Sequence, residues 1–389
     1  MKDFKGIPEC SAADFNKAVA VIESCKVPSG TYACIYDAYA PGGSYGNQWW
    51  SLDYALTMEG LKHLDFQKAL EFIFNLRAIQ KSDGRIPLYG AEIFSHVPNI
   101  IGPVGSLPKF FEVGYDIAEM SGDSAIKRTV LDVFAKNLEW WFSERQDKET
   151  RLVTAVFEET FIPNTLSWAG CYAPMDTNAE IIIGCQNAAK LAIELGETDI
   201  AARMQGKADE IEAATYNYLW SEECDCYFPY VIPEKRLHKC KMGSMFLGFR
   251  LPDNGRHQRL LAHMLNPAEF NWGIRPLTSV ALDDPIFQTV TGKYNGNPAW
   301  SGSVWALIND ATVKALHCAG LHSHAMELSR ATVAAFRGNF AEFLNPFTGS
   351  GEGVKEYAWT AGLFIRNIFE EILCQSGTSA RTNGQMALA

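Results

Sequence analysis

The sequence predicts an all-α fold on three observations. Apolar residues recur at spacings of three and four along most of the 389-residue chain, which is the pattern of the buried face of an amphipathic helix. Long segments rich in glycine, proline, asparagine and aromatic residues interrupt this pattern about once per helical pair. No change of composition and no flexible linker divides the chain. Together these observations predict one domain built from helical hairpins.

About twelve segments carry the helical period. In chain order they are marked by Phe15-Val19-Ile22, Leu52-Leu56-Leu61, Ala69-Phe72-Ile73-Leu76, Phe110-Val113-Ile117, Val130-Val133-Leu138-Trp141, Ile181-Ala188-Leu191, Met204-Ile211-Tyr218, Met245-Leu247-Phe249, Leu260-Leu261-Met264, Val304-Leu307-Val313-Leu316, Met326-Leu328-Val333-Phe336 and Trp359-Leu363-Ile368-Ile372. Six long loops span residues 27–49, 82–106, 157–175, 221–241, 266–299 and 338–355. Loops of this length usually carry function. We therefore expect an (α/α)6 toroid, in which an inner ring of helices surrounds a funnel and the loops, with short β-hairpins among them, line its mouth.

The composition is typical of a globular protein with a large core, since 47% of the residues are apolar. The helical hairpins show no exact repeat, so we expect residues 1–374 to form a single domain rather than a solenoid. Residues 375–389 are a polar tail, which we expect to be disordered because it has too few apolar residues to pack.

The charge balance argues against a nucleic-acid partner. The formal net charge is −11, and no segment rich in lysine and arginine is present to neutralise phosphates. Carbohydrate is mostly neutral and is compatible with this charge. The sequence does not determine the oligomeric state, and a homo-oligomer is compatible with it.

The sequence favours a cytoplasmic location without membrane association. Residues 1–6 lead into a polar segment without the apolar core of a signal peptide. No apolar run reaches the roughly 18 residues of a membrane-spanning helix. The ten cysteines are scattered, and several lie inside helical segments. Reduced thiols are therefore the simpler interpretation.

One group of residues could be assembled into a metal site. Cys224, Cys226, His238 and Cys240 include thiols and an imidazole, but their spacing is not a common zinc-ligand pattern. A plain hairpin is the favoured interpretation. We expect no metal and no organic cofactor.

Carboxylates and tryptophans occur together late in the chain. Glu342 and Glu352 lie in a segment rich in glycine, asparagine and proline before an apolar helix, and Trp300 and Trp305 flank a turn of small residues. A pyranose offers hydroxyl groups to carboxylates and C–H faces to indole rings. The combination predicts a sugar-binding site.

Five motifs occur in an order that resembles a known family. They are Gln48-Trp49-Trp50-Ser51-Leu52-Asp53, Gln80-Lys81-Ser82-Asp83-Gly84-Arg85-Ile86-Pro87, Met175-Asp176-Thr177-Asn178-Ala179, the run from Ala299 to Trp305, and Glu342-Phe343-Leu344-Asn345-Pro346. From about residue 40 to 370 the chain resembles the catalytic domain of glycoside hydrolase family 63 and its trehalase-like relatives. That group includes processing α-glucosidases and mannosylglycerate hydrolases.

The resemblance implies an inverting glycosidase that acts on an α-linked glucoside or mannoside. Such an enzyme uses one carboxylic acid to protonate the leaving oxygen and one carboxylate to activate water. Glu342 stands where the family's Glu-aromatic-x-Asn-Pro motif places the base. Glu352, which is nearer to the following helix, is the alternative.

The general acid is harder to assign, because the chain departs from the family pattern. Relatives carry an acid aspartate in a Glu-Ser-Gly-x-Asp type of segment, and residues 157–164 here have no aspartate at that place. We predict Glu159 as the acid, with Glu158 next and Asp176 third. Burial in an aromatic loop could raise the pKa of such a carboxyl group. The alternatives are that these acids bind substrate or cap a turn, and Asp176 also fits a helix N-cap.

Several residues are predicted to contact substrate. Asp53 could bind a sugar hydroxyl or cap its helix. Arg85 lies in a segment that has the sequence of a turn, and the family resemblance makes Arg85 a candidate substrate contact. The full set of predicted substrate-binding residues is Trp49, Trp50, Asp53, Arg85, Asp176, Trp300, Trp305, Glu352 and Trp359, with Trp168 as a further aromatic candidate. Relatives often have Trp-Arg-Gly-Pro where this chain has Trp300-Ser301-Gly302-Ser303. This chain therefore lacks the charged, hydrogen-bonding guanidinium group of that arginine.

Two other functions remain compatible with the sequence. A noncatalytic sugar-binding homologue is suggested by the departure around Glu159. A sugar epimerase or isomerase on the same toroid would require a pair of histidines in the funnel, and the histidines show no clear pair.

Overall fold

The structure is a computed structural model that describes residues 10–91, 103–156, 158–161, 172–289 and 298–375. Its α-helices, numbered in chain order, are α1 Ala12–Ser24, α2 Ser51–Leu61, α3 Phe66–Ile79, α4 Phe110–Ser121, α5 Ser124–Glu144, α6 Met175–Glu194, α7 Thr198–Tyr218, α8 Arg256–Met264, α9 Pro267–Phe270, α10 Ala306–Cys318, α11 His322–Phe336 and α12 Ala358–Arg366. A π-helical stretch, Asn367–Ile372, and a last turn, Leu373–Gln375, continue α12. The 3₁₀ helices are Thr31–Ala33, Gly43–Tyr45, Gly243–Arg250 and Pro298–Ser301.

The helices of the described residues form two concentric rings. The inner ring runs α2, α4, α6, the 3₁₀ helix Gly243–Arg250, α10 and α12, each packing on the next, and α12 packs back on α2. The outer ring consists of α3, α5, α7, α8, α11 and α1, each against an inner-ring element. Every residue of α2 and α12 is buried, as expected for helices enclosed on all sides.

The ring closes where α12 crosses α2, and two glycines make the crossing possible. A Cβ atom built on Gly60 would lie 2.3 Å from the carbonyl oxygen of Gly362. A Cβ on Gly362 would lie 2.8 Å from the Cα of Thr57. Any side chain at either position would force the two backbones apart and open the inner ring.

Short antiparallel strands lie in the loops, as predicted. The pairs are β1 Lys26–Val27 with β2 Ala38–Tyr39, β4 Trp220–Ser221 with β5 Cys226–Tyr227, and β8 Phe343–Leu344 with β9 Gly351–Glu352, while β3 Tyr172–Ala173, β6 Tyr230–Val231 and β7 Arg236–Leu237 form one sheet. The pairing of β8 with β9 shows that the glycine-rich segment containing Glu342 and Glu352 is a hairpin rather than an irregular loop.

One predicted helix differs in type. The segment marked by Met245, Leu247 and Phe249 is the 3₁₀ helix Gly243–Arg250. Its tight backbone fits the close contact at Gly243, where a Cβ atom would lie 2.9 Å from the carbonyl oxygen of Thr278. Apolar spacing predicts that a segment is helical and buried, but it does not distinguish a short 3₁₀ helix from an α-helix.

Ion pairs with at least one buried partner connect helices of the inner ring. Lys62, the C-cap residue of α2, contacts Glu59 at 2.8 Å, Asp116 at 2.6 Å and Glu370 at 3.0 Å. Lys314 on α10 reaches across to Glu59 at 2.5 Å. Three of these carboxylates come close enough together to resemble a cation site. The Lys62 ammonium group already contacts all three, so we interpret the acids as ion-pair partners.

Further charged residues extend this network. Arg366 contacts Asp310 and Glu371, each at 2.8 Å, and Lys109 contacts Glu180 at 2.9 Å. These charges come from several inner helices, so the network ties the ring together across its interior.

The nine cysteines within the described residues are free thiols. Within that part of the chain, Cys224, Cys226, His238 and Cys240 are not brought together as a group of metal ligands. Cys226 lies in β5, so the hairpin expected from the sequence is present. No described helix has both the length and the apolar character to cross a membrane.

Candidate active site

Three carboxyl groups from distant parts of the chain influence one another electrostatically, and we call them the carboxyl cluster: Asp53, Glu158 and Glu342. Asp53 lies in the first turn of α2, and Glu342 directly precedes β8. Glu158 lies in the loop before β3. Burial raises the pKa of Glu158 to about 8, and the neighbouring charges of Asp53 and Glu342 act in the same direction. Contacts agree with this, because Trp50, three residues before Asp53, packs against the apolar cluster that contains Val156, two residues before Glu158.

Glu342 accepts hydrogen bonds at both of its carboxylate oxygens. The Tyr45 hydroxyl donates to Oε1 at 2.7 Å, and the backbone N–H of Val354 donates to Oε2 at 3.0 Å. The side chain is 2% exposed. Gly353 makes room for it, because a Cβ atom there would lie 2.5 Å from Oε2, and the backbone of Gly353 has a φ of +71° that favours glycine. The hairpin thus fixes the direction of this carboxylate.

Asp53 is buried at the start of an inner helix. Burial raises its pKa to about 8, the Tyr357 hydroxyl opposes this shift by hydrogen bonding to the carboxylate, and the charge of Glu342 adds to it. The Oδ1 atom is buried and has no hydrogen-bond partner among the described residues. The N-cap position of α2 is Trp50, so Asp53 does not cap the helix. Its free oxygen is available to a ligand.

Glu159 is directed away from the carboxyl cluster. Its Oε1 accepts from the N–H of Gly105 at 2.7 Å and from Nη2 of Arg145 at 2.9 Å. Its Oε2 accepts from Nε of Arg145 at 2.7 Å and from the N–H of Val156 at 3.0 Å. The residue is fully buried. Four bonds to two oxygens leave this carboxylate engaged as the internal partner of an arginine.

Asp176 has a similar internal role. It accepts hydrogen bonds from the Thr160 hydroxyl at 2.8 Å, from the N–H of Phe161 at 2.6 Å and from the N–H of Thr177 at 2.7 Å. Pro174 occupies the N-cap position of α6, so Asp176 is not the N-cap residue, but it does accept the first-turn N–H of Thr177, as the capping interpretation expected. Its carboxylate ties the loop at Thr160 and Phe161 to the first turn of α6.

A continuous series of aromatic rings leads past the carboxyl cluster. Consecutive members have ring centroids between 3.6 and 5.9 Å apart. In order they are Trp300, Trp305, Trp359, Tyr357, Tyr45, Trp50 and Tyr89. The indole N–H groups of Trp50 and Trp359 are buried without a partner among the described residues. Four predicted tryptophans therefore lie in one series, beside the tyrosines that hold Asp53 and Glu342.

Three predicted residues are placed differently, and two of them are internal. Trp49 is buried, and its indole N–H donates to the carbonyl of Tyr32 at 3.1 Å, which gives it a packing role. Arg85 donates through Nη1 to the carbonyl of Val104 at 2.9 Å and is 7% exposed.

The third is Glu352, which lies on β9 opposite Phe343 and accepts from Asn345 at 3.1 Å. It shows no hydrogen bond to the carboxyl cluster within the described chain. Trp168 and the other residues of 162–171 lie outside the described residues, so the prediction for Trp168 stays a prediction.

Sequence reasoning missed Tyr45 and Tyr357. Both lie close to loop-to-helix junctions, the positions from which we predicted tryptophans as sugar platforms. The same criterion applied to tyrosine would have found them, because a phenol combines an apolar ring with a donor for a carboxylate.

The chain matches the mannosylglycerate hydrolase MGH1-like glycoside hydrolase domain over residues 46–360. It belongs to this glycoside hydrolase family. The resemblance predicted from the order of the motifs is thereby confirmed. A mannosylglycerate hydrolase of Thermus thermophilus is 29% identical over 153 residues, and one of Rubrobacter radiotolerans is 25% identical over 185 residues. These matches cover 38% and 47% of this chain, and 34% and 40% of the relatives' own lengths.

Solved structures of similar proteins share the fold. The family 63 mannosylglycerate hydrolase of Thermus thermophilus in complex with glucose has a TM-score of 0.75 at 19% identity, covering 90% of this chain and 99% of that chain. The neutral trehalase of Saccharomyces cerevisiae has a TM-score of 0.68 at 13% identity, covering 86% and 73% respectively. The predicted (α/α)6 toroid is confirmed.

Proposed function

We propose that this chain is an inverting glycoside hydrolase that cleaves an α-linked glucoside or mannoside. The observation that carries the proposal is the carboxyl cluster beside the aromatic series, in which Asp53 Oδ1 and two indole N–H groups are buried without partners among the described residues. Buried polar atoms in that condition are costly unless a ligand or water satisfies them. Family membership agrees with a glycosidase.

Glu342 fits the role of the general base. Its hydrogen bonds from Tyr45 and from the N–H of Val354 hold the carboxylate in one orientation. A carboxylate fixed in this way can take a proton from a water molecule as that water attacks the anomeric carbon. Attack from the face opposite the leaving group inverts the configuration, so an α-glycoside yields the β-anomer.

Asp53 fits the role of the sugar anchor. Its buried Oδ1 can bind one hydroxyl group of the ring, while Tyr357 holds the rest of the carboxyl group in place. Trp50 and Trp359 offer ring faces for the C–H groups of a pyranose and N–H groups for its oxygens.

A small glycoside is the substrate class we infer. The Thermus thermophilus structures include complexes with glucose, and with Tris and D-glycerate, the latter at a TM-score of 0.73 and 18% identity over 91% of this chain and 99% of that chain. By analogy, a hexose α-linked to a small hydroxy acid is the first substrate to test, followed by small disaccharides.

The epimerase alternative receives no support from the described histidines around the inner ring. His63 bonds to Glu370 at 2.8 Å, and His317 bonds to Glu371 at 2.6 Å, within the buried charge network. The noncatalytic alternative remains as an outcome of the experiment below.

The test is to incubate the purified chain with α-mannosyl and α-glucosyl derivatives of glycerate, small α-linked disaccharides and α-aryl glycosides. Proton NMR during the first minutes should show the β-anomer as the initial product. Glu342→Gln should abolish this release. An initial α-anomer would overturn the inverting mechanism. Saturable binding without turnover by the wild type would favour the noncatalytic sugar-binding protein.

A further inference from the structure

The loop between residues 155 and 176 carries three acidic residues, and the structure gives them unequal roles. The carboxylate of Glu159 accepts four hydrogen bonds, two of them from Arg145. The carboxylate of Asp176 accepts bonds from Thr160, Phe161 and Thr177. The side chain of Glu158 makes no hydrogen bond to another described residue. It is the one acid of this loop that the described protein leaves available.

The backbone around Glu158 is fixed on both sides. The N–H of Leu107 donates to the Glu158 carbonyl at 3.3 Å, and the N–H of Glu159 donates to the Val156 carbonyl at 3.1 Å. The Thr177 hydroxyl donates to the Glu159 carbonyl at 2.7 Å. Together with the ion pair of Glu159, these bonds hold Glu158 and Glu159 in place. Both residues lie beside the aromatic series, because Val156 packs in one apolar cluster with Tyr89 and Trp50.

We propose that Glu158 is the general acid, which protonates the oxygen of the leaving group; this inference rests on the proposed hydrolase function. Glu158 would take over the role of the aspartate that residues 157–164 lack. It does so from a different position in the loop, one residue before the carboxylate that pairs with Arg145.

The relative exposure of the three clustered acids favours Glu158 over Asp53 as the donor. Asp53 is 4% exposed and Glu342 is 2% exposed, whereas Glu158, although protein surrounds it closely enough to raise its pKa, is partly reached by solvent. The leaving group must depart toward solvent, so its proton donor must lie on the open side of the sugar. Asp53, enclosed at the start of α2 and bonded to Tyr357, suits the anchor role.

The electrostatic surroundings keep Glu158 protonated before the reaction. Among the described residues, the negative charges of Asp53 and Glu342 act on Glu158 and disfavour its ionisation. Burial acts in the same direction and is the larger cause, so its pKa lies at about 8. A carboxylic acid that retains its proton near neutral pH can act as a general acid there.

The reaction step balances without any further reactant. The bond between the anomeric carbon and the glycosidic oxygen breaks, and its electron pair remains on that oxygen, which takes the proton of Glu158. Water oxygen forms the new bond to the anomeric carbon, and its proton passes to Glu342. The products are the β-hemiacetal sugar and an alcohol. Proton exchange with solvent then restores neutral Glu158 and ionised Glu342.

The experiment compares two leaving groups. The alcohol leaving group of an alkyl α-glycoside needs a proton donor. The fluoride ion of an α-glycosyl fluoride leaves without one, but its hydrolysis still needs the general base to activate water. Wild type, Glu158→Gln, Asp53→Asn and Glu342→Gln are assayed on both substrates for the sugar that the wild type accepts. Glu356→Gln, an exposed acid in the loop before α12, is the matched control.

For Glu158→Gln we expect kcat/KM on the alkyl glycoside to fall roughly 100- to 10,000-fold, with the fluoride affected less than about tenfold. The basic limb of its pH profile should flatten, and Glu158→Asp should recover part of the activity. Glu342→Gln should lose activity on both substrates. Thermal unfolding of each variant checks that the fold is intact.

Two results would overturn the assignment. One is equal loss, or no loss, on both substrates in Glu158→Gln; the other is leaving-group dependence in Asp53→Asn instead. In either case fluoride hydrolysis to the β-anomer by the wild type would leave the hydrolase function standing. A wild type that cleaves neither substrate would overturn the proposed function and the acid assignment with it.

Discussion

Tyr45 donates its hydroxyl hydrogen to Oε1 of Glu342 at 2.7 Å, although 297 positions separate the two residues in the chain. The bond joins the loop before α2 to the hairpin before α12. These are the two helices whose crossing closes the inner ring at Gly60 and Gly362. The orientation of the proposed base therefore depends on ring closure.

Tyr45→Phe should lower kcat by roughly 10- to 100-fold while KM changes little, because one hydrogen bond to a charged group contributes about 1.5 to 3 kcal/mol. Steady-state kinetics on an alkyl α-glycoside measure both constants. Tyr54→Phe is the control, since that hydroxyl bonds to Asn75 at 3.1 Å, within the core. If the two variants lose kcat equally, Tyr45 does not act through Glu342.

Glu342→Gln should lower turnover by at least about a thousandfold and leave the fold intact, because an amide cannot accept the proton of the attacking water. Glu352→Gln should have a smaller effect, since that side chain bonds to Asn345. Hydrolysis rates of the α-glycosyl fluoride measure the contribution of the general base alone, because the fluoride leaving group needs no general acid. A larger loss in Glu352→Gln than in Glu342→Gln would exchange the two roles.

Asp53→Asn should stabilise the protein at neutral pH. In the unfolded chain the carboxyl ionises near its ordinary pKa of 3.8, whereas burial raises the pKa to about 8 in the folded protein. Between these values the folded state holds a proton that the unfolded state has released, so stability falls as pH rises through this window. The asparagine variant removes this loss, which is on the order of a few kcal/mol.

The measurement for Asp53→Asn is the melting temperature at several values of pH. The gain over wild type should be small near pH 4 and largest near pH 8. Asp132→Asn, a substitution on the exposed face of α5, is the control and should show no such trend. A gain at pH 4 that equals the gain at pH 8 would contradict the assignment of a raised pKa.

Glu159→Gln should destabilise the fold by about 3 to 5 kcal/mol, because it leaves the Arg145 guanidinium buried without its counter-charge. Urea unfolding measures the change. Glu149→Gln is the control, since its pair with Lys235 at 2.6 Å joins side chains that are 70% and 65% exposed, and loss of such a pair costs at most about 1 kcal/mol.

Activity lost in Glu159→Gln should be lost equally for alkyl glycosides and glycosyl fluorides. A stable Glu159→Gln variant that loses the alkyl glycoside alone would instead support the sequence prediction of Glu159 as the acid.

The fold could be predicted from the sequence because its main signals are local. Apolar spacing marked the helices, and the order of five motifs identified the family that the match over residues 46–360 confirms. The glycine contacts at Gly60 and Gly362 could not be anticipated, since each depends on a backbone about 300 positions away.

The sequence predicted which residues of the candidate site lie together, but not how their surroundings differ. Asp53, Glu342 and four of the predicted tryptophans lie together, because a family motif marks positions at the loop-to-helix junctions of the inner ring. Trp49 and Trp50 are adjacent and chemically identical, yet Trp49 packs against the carbonyl of Tyr32 while Trp50 joins the aromatic series.

The sequence could locate Glu158 and Glu159 but could not assign different roles to them. The sequence determined that two carboxyl groups stand side by side in a loop near α6. It could not decide which one faces the cluster, because that depends on Arg145, which approaches from the end of α5 and takes both oxygens of Glu159. Helical periodicity depends on neighbouring residues, whereas the burial and partners of a carboxylate depend on residues that only folding brings together.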